Sequence, residues 1–137
     1  DRLFGADKRD DLRGGAGNDQ LTGGGGRDAL TGGSGADRFI FTSAAHTGKG
    51  ADRRDVITDF GGNDRIDLRG IDADLTRGGN QAFDFIGGAG FRDAGDLRIK
   101  RDGGDRIVQV DRDGDGRTDF EIKLRDASGI DGGDFLL

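Results

Sequence analysis

Cysteine is absent from the 137 residues, which excludes a disulfide framework and any zinc–thiolate centre. Histidine occurs once, as His46. A catalytic zinc site draws on two or three histidines, so this one is read as an inert loop residue. Neither a His-Glu-x-x-His helix nor a Gly-x-Ser-x-Gly elbow is present, and no active site is legible in this stretch of chain. No apolar run approaches the length of a membrane span, and no signal-peptide pattern opens the sequence. Methionine is missing and the chain starts at Asp1 in mid-repeat, so it reads as a fragment that follows an N-terminal part. Glutamate is almost missing too: Glu121 stands alone, and the net charge of −6 comes from aspartate. That balance argues against nucleic acid as a partner, and short aspartates in turns suit metal loops.

Glycine is what the chain has in abundance, 29 residues of it, and its placement is periodic. Gly14–Thr22 (GGAGNDQLT), Gly23–Thr31 (GGGGRDALT) and Gly32–Ile40 (GGSGADRFI) share one nonapeptide, Gly-Gly-x-Gly-x-Asp-x-apolar-x. This pattern is a known calcium-binding β-coil repeat. The frame runs further: Asp1, Asp10, Asp19, Asp28 and Asp37 are nine residues apart, and Leu3, Leu12, Leu21, Leu30 and Phe39 each follow by two. A flexible Gly-rich linker has no reason to keep that phase.

Physically, the Gly-rich half turns tightly because glycine takes positive φ without a clash. The Asp-x-apolar-x half is a short strand sending one side chain inward. Two repeats complete a coil, so each repeat lies on the one two further along, about 4.8 Å away. Asp10 then sits over Asp28 on one edge, and Asp1, Asp19 and Asp37 share the other. Carboxylates about 5 Å apart repel by about 3 kcal/mol at an effective dielectric near 20. Calcium reverses the sign, because it takes six to eight oxygens and the bare loops offer carbonyls. A chain folded with calcium and largely unfolded without it is expected.

The remainder is read more coarsely. Asp37–Thr42 continues as a strand and Ser43–Ala51 as a loop; Asp55 and Asp64, with Ile57 and Ile66 two positions on, recover the frame as capping coils. Residues 70–95 show little period and allow a short helix near Asp72–Thr76. Leu97–Lys100, Arg106–Val110 and Thr118–Leu124 have strand character, the last two forming a hairpin. Its turn carries Asp111, Asp113 and Asp115 with Gly116, like the start of an EF-hand loop, but the twelfth position is Ile122. A polar hairpin turn and a weaker extra calcium site are both open readings there.

The repeats resemble those of the repeats-in-toxin (RTX) superfamily. Gly35–Phe41 (GADRFIF), Asp55–Leu68 (DVITDFGGNDRIDL), Arg69–Asp72 (RGID), Asp113–Leu124 (DGDGRTDFEIKL) and Asp134–Leu137 (DFLL) are similar to the C-terminal domain of serralysin-type secreted metalloproteases. The resemblance spans nearly the whole chain. It implies an all-β fold: a parallel β-roll over residues 1–42, capped by a mixed or antiparallel β region, 43–137, that also holds the secretion signal. It implies several calcium ions, each between one repeat and the next but one. One site would use Gly15, Gly17 and Asp19 with Gly32, Ser34 and Asp37. Another would use Ala6, Lys8 and Asp10 with Gly23, Gly25 and Asp28, weakened by the lysine that replaces a glycine. Gly24, Gly26 and Asp28, and Gly33, Gly35 and Asp37, would face the cap, whose opposing ligands the resemblance does not name; Asp55 and Asp64 are separate, weaker metal candidates. Asp1 would join Asp19 through Gly14 and Ala16 only with residues preceding it.

An Asp followed by three apolar residues at the end resembles the terminus of proteins exported by type I (ABC-transporter) secretion; an edge strand packing Phe135 and Leu136 is compatible with that. The first functional reading is therefore a non-catalytic, monomeric calcium module that drives extracellular folding and type I secretion of a larger bacterial enzyme. Its partners would be calcium, the exporter and an upstream catalytic domain, a zinc metalloprotease. A second reading is an alginate-binding β-roll module of an epimerase or lyase, and a third a segment of an RTX adhesin. Arg2, Lys8, Arg9, Arg13, Arg27 and Arg38 would serve the second, although repeat geometry does not gather them on one face.

Overall fold

Alternation within each Asp-x-apolar-x segment produces short strands, and the intervening glycine turns send successive strands to opposite walls of a coil. The computed structural model describes residues 1–137. Strands β1 (Arg2–Phe4), β3 (Gln20–Thr22), β5 (Arg38–Ile40), β7 (Arg65–Asp67) and β12 (Phe135–Leu136) form one sheet in that order. The other wall is β2 (Asp11–Ala16), β4 (Ala29–Ser34), β6 (Asp55–Ile57), β11 (Phe120–Leu124), β10 (Asp105–Asp111), β9 (Asp96–Asp102) and β8 (Asp84–Phe85). From β1 to β7, odd and even strands thus separate onto two walls, as a coil of two repeats per turn requires.

Register follows the inward residue. Leu3, Leu21, Phe39 and Ile66 align on one wall, and Leu12, Leu30 and Ile57 on the other. Leu21, Leu30, Phe39, Ile57 and Ile66 are fully buried and belong to a single core of 19 residues. Leu3 and Leu12, in the first coil, are only partly covered, and Phe4 is exposed. Arg2, Gln20, Arg38 and Arg65 occupy one register row. Their neighbours Leu3, Leu21, Phe39 and Ile66 point inward, so this row faces out. Of the six basic residues of the repeats, Arg2 and Arg38 share this face, joined by Arg65 from beyond them.

The second wall changes character where β11 pairs parallel with β6 and then antiparallel with β10, which pairs antiparallel with β9. The hairpin read around residues 111–117 is formed. Both walls run on beyond residue 42, and β12 lies parallel to β7 with Phe135 opposite Ile66. Phe85 stacks on Phe135 at a ring separation of 5.6 Å. The short helix near Asp72–Thr76 is not formed. The Asp72 carboxylate accepts the Asp74 N–H at 3.2 Å and the Asp74 carboxylate the Thr76 N–H at 2.9 Å. These local side-chain bonds substitute for helical ones. The only helical piece is a 3-10 turn at Gly132–Asp134, and no helix is long and apolar enough to cross a membrane.

Candidate metal centre

The framed aspartates form two hydrogen-bonded columns at the edges of the roll. On one edge Asp19 N–H donates to Asp37 Oδ1 (2.8 Å) and Asp37 N–H to Asp64 Oδ1 (2.9 Å). On the other, Asp10 N–H donates to Asp28 Oδ1 (2.9 Å) and Asp28 N–H to Asp55 Oδ1 (2.7 Å). Each carboxylate thus spends one oxygen on the coil before it. The second oxygen of Asp19, Asp28, Asp37 and Asp55 is buried and has no hydrogen-bond partner. Four such anionic oxygens are costly unless a cation completes them. Burial is the main cause that raises the pKa of Asp28 and Asp64, and it pushes Asp55 up to about 7. In all three, backbone N–H donors oppose that rise, and a neighbouring aspartate charge adds to it.

The glycines explain how those oxygens come to face the loops. A Cβ on Gly14 would lie 2.5 Å from Asp19 Oδ2, and one on Gly32 would lie 2.8 Å from Asp37 Cγ. The first repeat position must therefore lack a side chain, so that the aspartate can fold back beneath its own turn. Gly33 and Gly35 approach the carbonyls of Gly15 and Gly17 so closely that any side chain would collide with them. The result is a shelf of backbone oxygens and carboxylates. An all-oxygen donor set of this kind suits a hard cation such as calcium.

The sequence-derived candidates fall into three groups. Loop 14–19 lies on loop 32–37, bringing together Gly15, Gly17 and Asp19 with Gly32, Ser34 and Asp37; Gly17 N–H donates to Ser34 O at 2.8 Å, and Gly15 and Ala16 stand opposite Gly33 and Ser34. Loop 5–10 lies on loop 23–28, bringing Ala6, Lys8 and Asp10 to Gly23, Gly24, Gly25, Gly26 and Asp28. There Gly25 N–H donates to Ala6 O at 2.8 Å, Ala6 N–H is held by Asp10 Oδ2 at 2.7 Å, and the Lys8 side chain is exposed. Asp1 stands on the Asp19 edge, where Gln20 N–H donates to Asp1 O at 2.8 Å. The third group stands apart from both columns. Carboxylate oxygens of Asp111, Asp113 and Asp115 lie within 4.8 Å of one another. Both Asp111 oxygens already accept N–H bonds, from Gly114 at 2.7 Å and Gly116 at 2.8 Å.

Reading the sequence alone missed two elements of this architecture. Asp59 accepts from Gly32 N–H (2.9 Å) and Gly33 N–H (2.8 Å), roofing the Gly32–Asp37 loop. The loop Asp59–Asp64 (DFGGND) is a divergent repeat turn, legible from the same 27-residue step that carries Asp37 to Asp64. The second is the end of the other column. Asp55 N–H donates to Thr47 Oγ1 (3.0 Å), which donates in turn to Glu121 O (2.8 Å). The Glu121 side chain holds Gly50 N–H, Arg54 and Gln109. Burial would raise its pKa, but these three donors outweigh it and the pKa is lowered.

Shelves of loop carbonyls backed by stacked, half-satisfied carboxylates define a calcium-binding β-roll. Residues 4–39 match the family model of the RTX calcium-binding nonapeptide repeat, in four copies, so this stretch of the β-roll carries RTX repeats, and calcium is their ion. No curated protein sequence matches it. Among solved structures it is similar to the AlgE6R3 subunit of the Azotobacter vinelandii mannuronan C5-epimerase. That likeness has 26% identity and a TM-score of 0.62, over 99% of this chain and 78% of that one. It is likewise similar to the AlgE6R2 subunit of that enzyme, with 26% identity and a TM-score of 0.63, over 99% of this chain and 92% of that one.

Proposed function

We propose that this chain is a calcium-gated folding module of a larger secreted bacterial enzyme. The observation that carries the reading is the set of four buried, unpartnered carboxylate oxygens on Asp19, Asp28, Asp37 and Asp55. Calcium is held by loops 14–19 and 32–37 on one edge and by loops 5–10 and 23–28 on the other, with Asp64 and Asp55 completing the positions nearest the cap. Residues 43–137 cap the roll and carry the export signal at Asp134–Leu137. Where calcium is scarce the columns repel and the chain stays open for a type I exporter. Outside the cell, binding favours the fold by RT ln(1 + [L]/Kd) and biases export outward. The module works as a monomer and has no catalytic role of its own.

Circular dichroism tests this on the chain as it stands. A β spectrum should appear with calcium and vanish with chelator, and a β spectrum indifferent to chelator would sink the proposal. Two supports bear on the parent enzyme. The serralysin-like blocks from Gly35 to Leu137 favour a zinc metalloendopeptidase, and the likeness to epimerase modules favours an enzyme acting on polysaccharide. A His-Glu-x-x-His helix in the parent's catalytic domain would decide for the first.

A second reading is favoured by a specific observation. The outward row Arg2, Gln20, Arg38 and Arg65 is suited to a carboxylated polymer. Together with the likeness to the mannuronan epimerase modules, it supports binding of an acidic polysaccharide of alginate type. Titration with alginate oligomers tests it, and the absence of binding at saturating calcium would reject it.

A further inference from the structure

We infer that the cleft beside β9, lined by Gly88, Arg98, Ile99, Lys100 and Arg101, is a second and separate binding site for a carboxylated sugar chain. The inference rests on the acidic-polysaccharide reading above and adds a location that the repeat tract does not contain. The cleft measures about 460 Å3, within the size range of small-ligand sites.

Its origin is a strand that ends early. β8 and the residues after it accompany β9 as far as Gly87, with Ile86 N–H on Leu97 O (2.9 Å) and Ile99 N–H on Gly87 O (2.8 Å). At Gly88 the chain departs and leaves Lys100 and Arg101 beside open space. No carboxylate lines the cleft. None of its three cations forms an ion pair, although carboxylates outnumber cations in the chain and eight ion pairs form elsewhere. Three unpaired cations within four residues of so acidic a protein leave a local positive field for an anion.

Cations also guard exposed strand edges against pairing with other chains, but that role needs only loose charges. Arg98 is not loose. Its guanidinium lies 4.0 Å above the Phe91 ring, and its Nε donates to Gln109 Oε1 at 2.9 Å. Gln109 is itself fixed by Glu121 at 2.8 Å. A guanidinium clamped in this way presents its fork to carboxylate at little entropic cost. Lys100 lies two residues on along β9, on the same face and about 6.6 Å away by strand rise. Arg98 and Lys100 can therefore contact different parts of one extended anionic chain.

The test is a titration of the whole chain, in saturating calcium, with oligomannuronate and with a neutral glucan oligomer as control. The triple variant Arg98→Ala/Lys100→Ala/Arg101→Ala should bind the uronate at least about tenfold more weakly, given lost hydrogen bonds to charged groups. Because Arg98 supports Gln109, a second variant, Lys100→Glu/Arg101→Glu, leaves that contact intact and should weaken binding as much. Both should keep the calcium-dependent β spectrum. If the native chain binds and these variants bind equally well, while Arg2→Ala/Arg38→Ala/Arg65→Ala does not, the cleft is wrong and the polysaccharide reading survives. If the native chain binds no uronate, or binds the neutral glucan as tightly, both fall.

Discussion

Substituting alanine for two glycines separates what a turn requires from what stacking requires. Gly17 and Gly33 have almost the same backbone angle, φ +107° and +101°. An L side chain is strained at either, by about 1–3 kcal/mol. Around Gly17 a Cβ would meet nothing within 4 Å, whereas at Gly33 it would sit 2.8 Å from the Gly15 carbonyl carbon and 3.1 Å from its Cα. Both of those atoms belong to the backbone of the previous coil and cannot swing aside. Gly33→Ala therefore bears the same strain plus an overpacking cost of about 1–3 kcal/mol. It also prises apart the two loops whose carbonyls form the shelf. Urea unfolding in saturating calcium should place the Gly33→Ala midpoint below that of Gly17→Ala by about 1 M, at an m-value near 2 kcal/mol/M. Coincident midpoints would mean that the coils do not stack at this spacing, and the metal shelf would lose its geometry.

Further outcomes follow from the same contacts. Asp37→Asn keeps an acceptor for Asp19 N–H but removes the charge behind the unpartnered oxygen. Calorimetric calcium titration should show affinity on that edge falling at least about tenfold, while Asp11→Asn, at an exposed aspartate paired with Arg13, should leave it unchanged. Glu121→Gln strips the nearer and more buried counter-charge from Arg54, whose side chain is only 12% exposed, and leaves it Asp102 at 3.7 Å. Breaking such a pair costs about 3 kcal/mol, readable as a lower urea midpoint at fixed calcium. The response to pH has a definite sign. Asp55 is raised to about 7 in the fold, so the calcium-free fold gains from its protonation at low pH and loses that gain as pH rises through about 7. In chelator the chain is expected to be unfolded at neutral pH, so β structure followed by circular dichroism should be regained only in acid and fade as pH rises to about 7, whereas calcium, which binds the ionised form, should abolish the dependence.

Much of the roll was legible because its information is periodic. Leu21, Leu30 and Phe39 had to be inward, and Asp19, Asp28 and Asp37 had to share edges, once the nine-residue phase was recognised. The column pairs, Asp10 with Asp28 and Asp19 with Asp37, follow from two repeats per turn. Asp55 and Asp64 were reachable by carrying that phase across 27 residues. What the sequence did not disclose depends on contacts between distant segments. Asp59 acts on Gly32 and Gly33, 27 and 26 residues away, and Thr47 acts on Glu121, 74 residues away. Asp72 and Asp74 misled in another way. Their spacing tolerates a helix, but aspartates bonding their own backbone two residues on favour turns. Arg65, outside the repeats, completed the basic row, which is why the repeats by themselves did not suggest one.

The most direct measurement is the location of calcium in crystals of this chain grown with the ion, from its anomalous scattering. Peaks are expected between loops 14–19 and 32–37, within bonding distance of Asp37 Oδ2, and between loops 5–10 and 23–28 beside Asp28 Oδ2. An intact roll in calcium with no peak at either edge would contradict the account.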